Sequence, residues 1–314
     1  MTGLLSDAEA MQLGAEGVAR LQAARQALAG IATLPDKPED TPVAAARALW
    51  WLAAGLPVSA VAAVERELPA LDDAQLVRFQ ALVQQRVAGV PLAHLTGRQR
   101  FMELELLAGP EALIPRHETE LLAAAASALL EEAAHQRGRV LAIDVCTGSG
   151  NVALAMASRV PSARVHAADL SADAVVLARR NAAHLGLSER VQVHEGDLLA
   201  PFERDEFIGA VDVLTCNPPY ISSARVPEMA AEIAAYEPSL AFDGGPLGIR
   251  ILQRLLREGP AFVRPGGWLA FEVGLGQGAG VMRRLQADKG FSELRGVSDA
   301  AGEVRAVLAR KSAG

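Results

Sequence analysis

Asp144-Val145-Cys146-Thr147-Gly148-Ser149-Gly150-Asn151 is the stretch on which the fold turns. The apolar run before it, residues 140–145, reads as a buried strand, and residues 151–159 after it carry helix formers with apolar positions at helical spacing. Between them Gly148 and Gly150 let the backbone turn tightly and approach a ligand closely. The same alternation continues downstream. Strands are expected at 164–169, 191–195, 211–216 and 268–273, and helices at 172–185 (stopped by Gly186), 248–263 and 278–288. Pro265-Gly266-Gly267 reads as a turn, and 291–297 and 304–309 as final strands. Alternating β and α implies an α/β fold with a mostly parallel sheet covered by helices on both faces. The last two strands have no helix between them and should pair antiparallel, giving a mixed sheet of about seven strands.

Upstream the pattern is helical. Residues 4–30 have apolar positions at helical spacing, with Gly30 as a stop. Residues 34–41 are charged and contain Pro, hence a loop. Thr41-Pro42 caps a helix over 43–54, and further helices are expected over 59–67 and 73–88, the second opened by Asp72 or Asp73. Trp50 or Trp51 should pack in their core. Residues 89–115 change character: Phe101 to Leu106 alternate, and glycines and prolines flank them, as in a β-hairpin connector. Arg116-His117-Glu118-Thr119-Glu120 then opens an Ala/Leu-rich helix reaching about Ala134, its acids suited to a helix N-terminus or to a site. The expected organisation is a helical domain (1–88), a connector (89–115) and an α/β domain (116–314).

The net charge of -7 argues against a strongly basic nucleic-acid surface. Cys146 and Cys216 sit at the ends of neighbouring expected strands, with no disulfide framework and no metal-ligand spacing, so they read as reduced small hydrophobes of a cytosolic protein, and no metal is expected. The N-terminus has Asp7 and Glu9, no basic start and no apolar run suited to a leader or a membrane span.

A second stretch carries chemistry. Asn217-Pro218-Pro219-Tyr220 follows the strand at 211–216. Two prolines with fixed φ and no N–H end that strand in a stiff loop tip, at the carboxyl end of a strand, where open α/β sheets bind ligands. The tip suits a planar –NH2 group: the Asn217 oxygen accepts one hydrogen, the Pro218 carbonyl the other, and Tyr220 stacks on the flat face. A plain turn is the competing reading. Asp169, at the tip of the second strand, is placed for ribose hydroxyls, and Asp197, after the third, for an adenine amino group. Gly148 to Ala153 also fits the loose G-x-G-x-x-A pattern, which admits an NAD enzyme. Asp144 beside the loop favours a sulfonium and amino group over a pyrophosphate.

On these residues the chain resembles the class I S-adenosylmethionine-dependent methyltransferases, and more narrowly the HemK/PrmC family of protein-(glutamine-N5) methyltransferases. The stretches that carry the resemblance are Pro91 to Gly97 with Phe101, Ile114 to Glu120, Asp144 to Gly150, Asp169, Asn217 to Tyr220, Glu237-Pro238, Asp243-Gly244-Gly245 and Pro265-Gly266-Gly267. It runs from about Leu49 to the C-terminus. The resemblance implies a Rossmann-like methyltransferase sheet of seven strands, S-adenosyl-L-methionine as cofactor, cytoplasmic location and the Gly-Gly-Gln glutamine of peptide-chain release factors as substrate. It assigns Asp144, Cys146, Thr147, Gly148, Ser149, Gly150, Asp169, Asp197, Leu198 and Asn217 to the cofactor. It assigns Asn217, Pro218, Pro219 and Tyr220 to the glutamine amide, with Phe101, Arg116, Glu118 and Thr119 closing over it.

Three residues depart from the family pattern. Cys146 stands where release-factor enzymes usually have Gly, and in this it resembles the sister family that methylates a glutamine of a large-subunit ribosomal protein. His94 and His117 replace a more usual aromatic and Pro. The sequence therefore leaves a ribosomal protein open as substrate, and adenine-N6 methylation of nucleic acid as a further alternative, since that chemistry uses the same –NH2 cradle. No membrane partner and no sequence-specific nucleic-acid contact are expected.

Overall fold

Ser6 starts the first helix. Its hydroxyl accepts from the Glu9 N–H, and the Glu9 carboxylate accepts from the Ser6 N–H, a reciprocal cap. The computed structural model describes residues 6–313, so the two leucines at 4 and 5, expected to begin this helix, lie outside the described residues.

The chain divides into two compact units. The first holds the described residues up to Pro110, together with Ile114–His117 and Ala230–Tyr236. Its elements are α1 (Asp7–Leu28), α2 (Pro42–Ala53), α3 (Ala60–Val64), α4 (Asp73–Val87), α5 (Leu92–Thr96) and the antiparallel pair β1 (Arg98–Phe101) and β2 (Leu104–Leu107). Thr41 and Asp72 cap α2 and α4 through their side chains, as their positions before helical runs predict. Trp50 is fully buried, edge-on to Phe79 at 5.0 Å between centroids, and its indole N–H donates to the Pro69 carbonyl.

Three local expectations need correction here. The helix expected over 59–67 stops at Val64. Residues 92–96, expected as part of the hairpin connector, form a helical turn that Gly97 ends at φ 65. The alternating run from Phe101 to Leu106 is two strands, because Met102 at φ 51 turns the chain between them.

The second unit begins with α6 (Thr119–Arg137) and β3 (Val140–Val145). It continues with α7 (Asn151–Arg159), β4 (Ala163–Asp169), α8 (Ala172–His184), β5 (Val191–Glu195) and β6 (Val211–Cys216). After α9 (Ala231–Tyr236), which clusters with the first unit, come α10 (Arg250–Glu258), β7 (Val263–Glu272), α11 (Gly278–Gln286), β8 (Phe291–Ser298) and β9 (Val304–Lys311). The strand order is β5-β4-β3-β6-β7-β9-β8. β3 to β7 run parallel, and β9 pairs antiparallel with both β7 and β8, as the missing helix between the last strands implied. Every residue of β6 is buried, the polar Asp212 and Thr215 included, as befits a central strand covered on both faces.

Two boundaries move. Gly248 sits at φ 67, outside helical space, so α10 begins at Arg250, and Gly259-Pro260 tighten its end into a 3-10 turn. Pro265-Gly266-Gly267 is no turn: β7 runs through it from Val263, with a register slip opposite Val211 and Val213. Gly267 is required there, because a Cβ would lie 2.9 Å from the Val211 carbonyl oxygen.

The topology positions the site. From β3 the chain steps outward through β4 to β5, then returns to the other side of β3 with β6. The order reverses between β3 and β6, and the crevice at their carboxyl ends is where such sheets bind ligands. Cys146 follows β3 there, and Asn217 follows β6.

Candidate functional site

The loop after β3 is built from left-handed residues: Cys146 at φ 56, Gly148 at φ 54 and Gly150 at φ 84. Glycine takes this conformation freely, whereas Cys146 holds it at a cost of about 1–2 kcal/mol. Leu198, after Asp197, does the same at φ 51. Such strained positions gather at ligand clamps. Thr147 and Ser149 are buried, and the Asn181 amide donates to the Ser149 carbonyl, fixing the loop from beneath.

Asp144 turns into the sheet. Its two carboxylate oxygens accept from the Thr147 and Thr215 hydroxyls, each at 2.6 Å, and burial pushes its pKa up to about 6. From this buried position it binds the loop to β6. Asp169 ends β4 with Oδ2 accepting from the Gly148 N–H at 2.8 Å and Oδ1 from the Ser171 N–H at 2.9 Å. Burial raises its pKa against those bonds. Asp197 is half-exposed and held by Arg254, whose Nη1 lies 2.8 and 2.9 Å from its two oxygens. Arg254 is one turn into α10, and nothing in its sequence neighbourhood pointed to this pairing.

Beyond β6, Asn217 donates from Nδ2 to the Thr119 hydroxyl at 3.1 Å. Tyr220 donates from its hydroxyl to Glu118 at 3.1 Å, and Arg305 pairs with the same carboxylate at 2.8 Å. Glu272, the last residue of β7, lies behind them, 1% exposed. Neither of its oxygens completes a hydrogen bond of ordinary geometry among the described residues. Burial pushes its pKa up to about 7, opposed by the Thr119 and Tyr220 hydroxyls and Arg305 beside it and reinforced by Glu118. Glu272 and Arg305 were missed by sequence reasoning. The available signal was a lone acid at the end of an otherwise apolar strand.

The backbone of Asn217 to Tyr220 is pressed from behind by glycines. A Cβ on Gly244 would lie 2.5 Å from the Pro219 carbonyl oxygen, and one on Gly248 would lie 2.2 Å from that of Tyr220. The Gln277 amide also donates to the Tyr220 carbonyl, at 3.2 Å. Pro218 is buried, and Asn217, Pro219 and Tyr220 are partly exposed.

The second unit thus brings together the loop from Cys146 to Gly150, Asp169, Asp197, Leu198, Asn217 to Tyr220, Glu118 and Thr119. Phe101 and Arg116 belong to the first unit: Phe101 is fully buried in β1, and Arg116 pairs with Asp36 at 2.9 Å. Among the described residues no group of three His, Cys, Asp or Glu is arranged to hold a metal, and no helix is long and apolar enough to cross a membrane.

Residues 17–97 match the PrmC N-terminal domain model, and residues 120–255 match the methyltransferase small domain model. A release factor glutamine methyltransferase of Moorella thermoacetica is 40% identical over 232 residues, 74% of this chain and 79% of that protein. Proteins of the same name from Xylella fastidiosa and Streptomyces coelicolor are 39% and 35% identical, over 74% and 78% of this chain and 80% and 85% of theirs. The fold also matches a solved structure, the hMettl16 catalytic domain in complex with the MAT2A 3'UTR hairpin 6, with a TM-score of 0.51 and 13% identity over 77% of this chain and 83% of that one. A helical N-terminal domain and a methyltransferase domain in this order, with relatives of this identity across most of the chain, place it: the chain belongs to the release factor glutamine methyltransferase family.

Proposed function

We propose that this chain transfers a methyl group from S-adenosyl-L-methionine to the side-chain amide nitrogen of a protein glutamine, that of the Gly-Gly-Gln motif of a class I peptide-chain release factor. The observation that carries the reading is the Asn217 amide: donation from Nδ2 to Thr119 leaves Oδ1 turned the other way, as an acceptor at the carboxyl end of β6. The names and identity of the relatives support the substrate.

The residues present fit the cofactor. The left-handed loop at Cys146, Gly148 and Gly150 would allow close backbone approach, Asp169 at the end of β4 would accept from ribose hydroxyls, and Asp197 and Leu198 would hold the adenine. Thr147 and Ser149 shape the loop, and Asp144 holds it to β6. When bound, the cofactor supplies an electrophilic methyl group on a sulfonium.

The protein's task is orientation. An amide nitrogen is a poor nucleophile because its lone pair is delocalised into the carbonyl. Asn217 Oδ1 and the Pro218 carbonyl accept its two hydrogens, aim the nitrogen at the methyl group and favour positive charge developing on it. Tyr220 packs on the flat amide, held by Glu118. Glu118 and Thr119 contribute to enclosing the substrate, and Pro219 stiffens the tip. Orientation of this kind supplies about 7–11 kcal/mol in favourable systems.

The test is incubation with methyl-labelled S-adenosyl-L-methionine and a class I release factor, mapping the label by mass spectrometry. Label on the Gly-Gly-Gln glutamine is the expected result. Cofactor binding with no label there, and label instead on a ribosomal protein, overturns the substrate.

A further inference from the structure

A side-chain amide has two ends, and Asn217 works only if the oxygen end faces the substrate. Its neighbour Thr119 does not decide this alone, because a hydroxyl can donate or accept. If the Thr119 proton points at Asn217, it selects Oδ1 and turns Nδ2 outward, which repels the substrate –NH2. If that proton points elsewhere, Thr119 accepts from Nδ2 and Oδ1 is free. The choice depends on what else the Thr119 hydroxyl can meet.

The buried carboxylate of Glu272 has both oxygens shut from solvent and without a hydrogen bond of ordinary geometry, and the hydroxyls close enough to act on its charge are those of Thr119 and Tyr220. An ionised carboxylate only accepts, so it draws the Thr119 proton to itself. The Tyr220 hydroxyl, its other neighbour, is already committed to Glu118. We propose that Glu272 is a positioning residue for the methyl transfer: its buried, unpartnered carboxylate attracts the Thr119 proton away from Asn217, which leaves the Thr119 hydroxyl as an acceptor for Asn217 Nδ2 and turns the Asn217 oxygen toward the substrate amide. The inference rests on the reading of Asn217 given above.

The relay has a protonation state. The groups facing Glu272 are Glu118 and Thr119 at the start of α6, Tyr220 after β6 and Arg305 on β9. Of the charged ones, Glu118 raises its pKa and Arg305 lowers it, with burial dominant and the net value about 7. Above that value Glu272 is an acceptor and the relay points correctly. Below it the acid carries a proton that it can give to Thr119, which reverses the relay. Turnover therefore rises with pH across the neutral range.

The experiment compares wild type, Glu272→Gln, Thr119→Val and Thr119→Ser by single-turnover methyl transfer over a pH series, with S-adenosyl-L-methionine affinity by calorimetry on each. Glutamine carries a permanent donor, so Glu272→Gln is expected to lose about 10- to 100-fold in rate, the scale of a misoriented reacting group. It is also expected to lose the rising pH limb while keeping its cofactor affinity. Thr119→Val is expected to lose a similar factor and Thr119→Ser to restore it. The double variant should be no slower than Thr119→Val, because the two residues act as one unit. A Glu118→Gln variant keeps the limb but moves it to lower pH, because Glu118 raises the Glu272 pKa, and this assigns the limb to Glu272. Wild-type rate and pH profile in Glu272→Gln overturn the proposal, and so do losses that multiply in the double variant. If Glu272→Gln does not fold, Thr119→Val decides: an undiminished rate there overturns the proposal equally. Failure of wild type to label any glutamine is a separate outcome that removes the underlying reading, and the inference falls with it.

Discussion

The Asn217 side-chain amide donates to the Thr119 hydroxyl at 3.1 Å, joining residues 98 apart in the chain. The bond ties the tip after β6 to the first turn of α6. With Nδ2 engaged in this way the oxygen is the end left free, and a fixed amide is a better acceptor than one that must be ordered on binding, because no reorganisation is needed during reaction.

Asn217→Ala removes that acceptor together with the bond to Thr119, at a residue that is only partly buried. Turnover is expected to fall by about 100- to 1,000-fold, the cost of deleting one preorganised group at a developing charge. Cofactor affinity, which the proposed function assigns to the loop after β3 and to Asp169, should stay near wild type. Labelled methyl transfer and calorimetric titration of the cofactor check the two halves, and wild-type turnover in this variant refutes the proposed orientation.

Gly248→Ala tests the support of the loop tip. The added methyl would stand 2.2 Å from the Tyr220 carbonyl oxygen, at a residue already at φ +67. Backbone, not a flexible side-chain end, must move, so Pro219 and Tyr220 shift. A displacement near 1 Å at reacting groups costs about 100-fold. The expected signature is a fall in kcat with cofactor affinity retained. Gly276→Ala, at φ +77 but with nothing near the added Cβ, serves as the comparison: it carries similar backbone strain without the collision.

Much of this site was legible because its parts are local. The strand, glycine loop and helix at 140–159 follow one another in the chain, and the two prolines after Asn217 force a loop tip wherever that strand lies. Residue type also marked Asp169 and Asp197. What was not legible came from packing between distant segments. Arg254 reaches Asp197 across 57 residues, and Glu272 and Arg305 converge on Glu118 and Thr119 from strands near the C-terminus. Asp144 was marked by its position, but its bond to Thr215, a strand away, was not. In the first unit Met102 carries no turn signal of its own; the tertiary pairing of Arg98 with Leu107 and Phe101 with Leu104 imposes its left-handed backbone.

Asp40 gives a pH signature to the first unit. Its carboxyl is 9% exposed, one of its oxygens lacks a partner among the described residues, and burial pushes its pKa up to about 6 despite Lys37 nearby. A carboxyl with a raised folded pKa penalises folding only when ionised. The penalty is absent below the unfolded value of 3.8, grows as pH rises and is complete above about 6. A shift of this size corresponds to about 3 kcal/mol. Asp40→Asn is therefore expected to stabilise the protein at pH 8, with the gain vanishing toward pH 4. Urea unfolding of both forms at the two pH values measures it, and an equal effect at both would exclude ionisation as the cause.

Glu232 in α9 holds two buried cations at once. The Lys37 ammonium lies 2.6 Å from one carboxylate oxygen and the Arg86 guanidinium 2.6 Å from the other, with the two basic side chains only 2% and 4% exposed. Burial works against the Glu232 charge, but Lys37 and Arg86 outweigh it and hold its pKa below the ordinary carboxylate value. Its contribution is thus present above the unfolded pKa and lost as pH falls through the lower folded one. Glu232→Ala leaves both cations buried and unpaired, which costs about 3–5 kcal/mol for a broken buried pair. The deficit should appear in urea unfolding at pH 7 and shrink under strongly acidic conditions, where wild type also loses the charge. Replacing all three residues together with apolar ones of similar volume should recover much of the loss, because no buried charge is then left uncompensated. If Glu232→Ala alone unfolds like wild type at pH 7, the three charges are already hydrated, and they do not hold α9 in the helical unit.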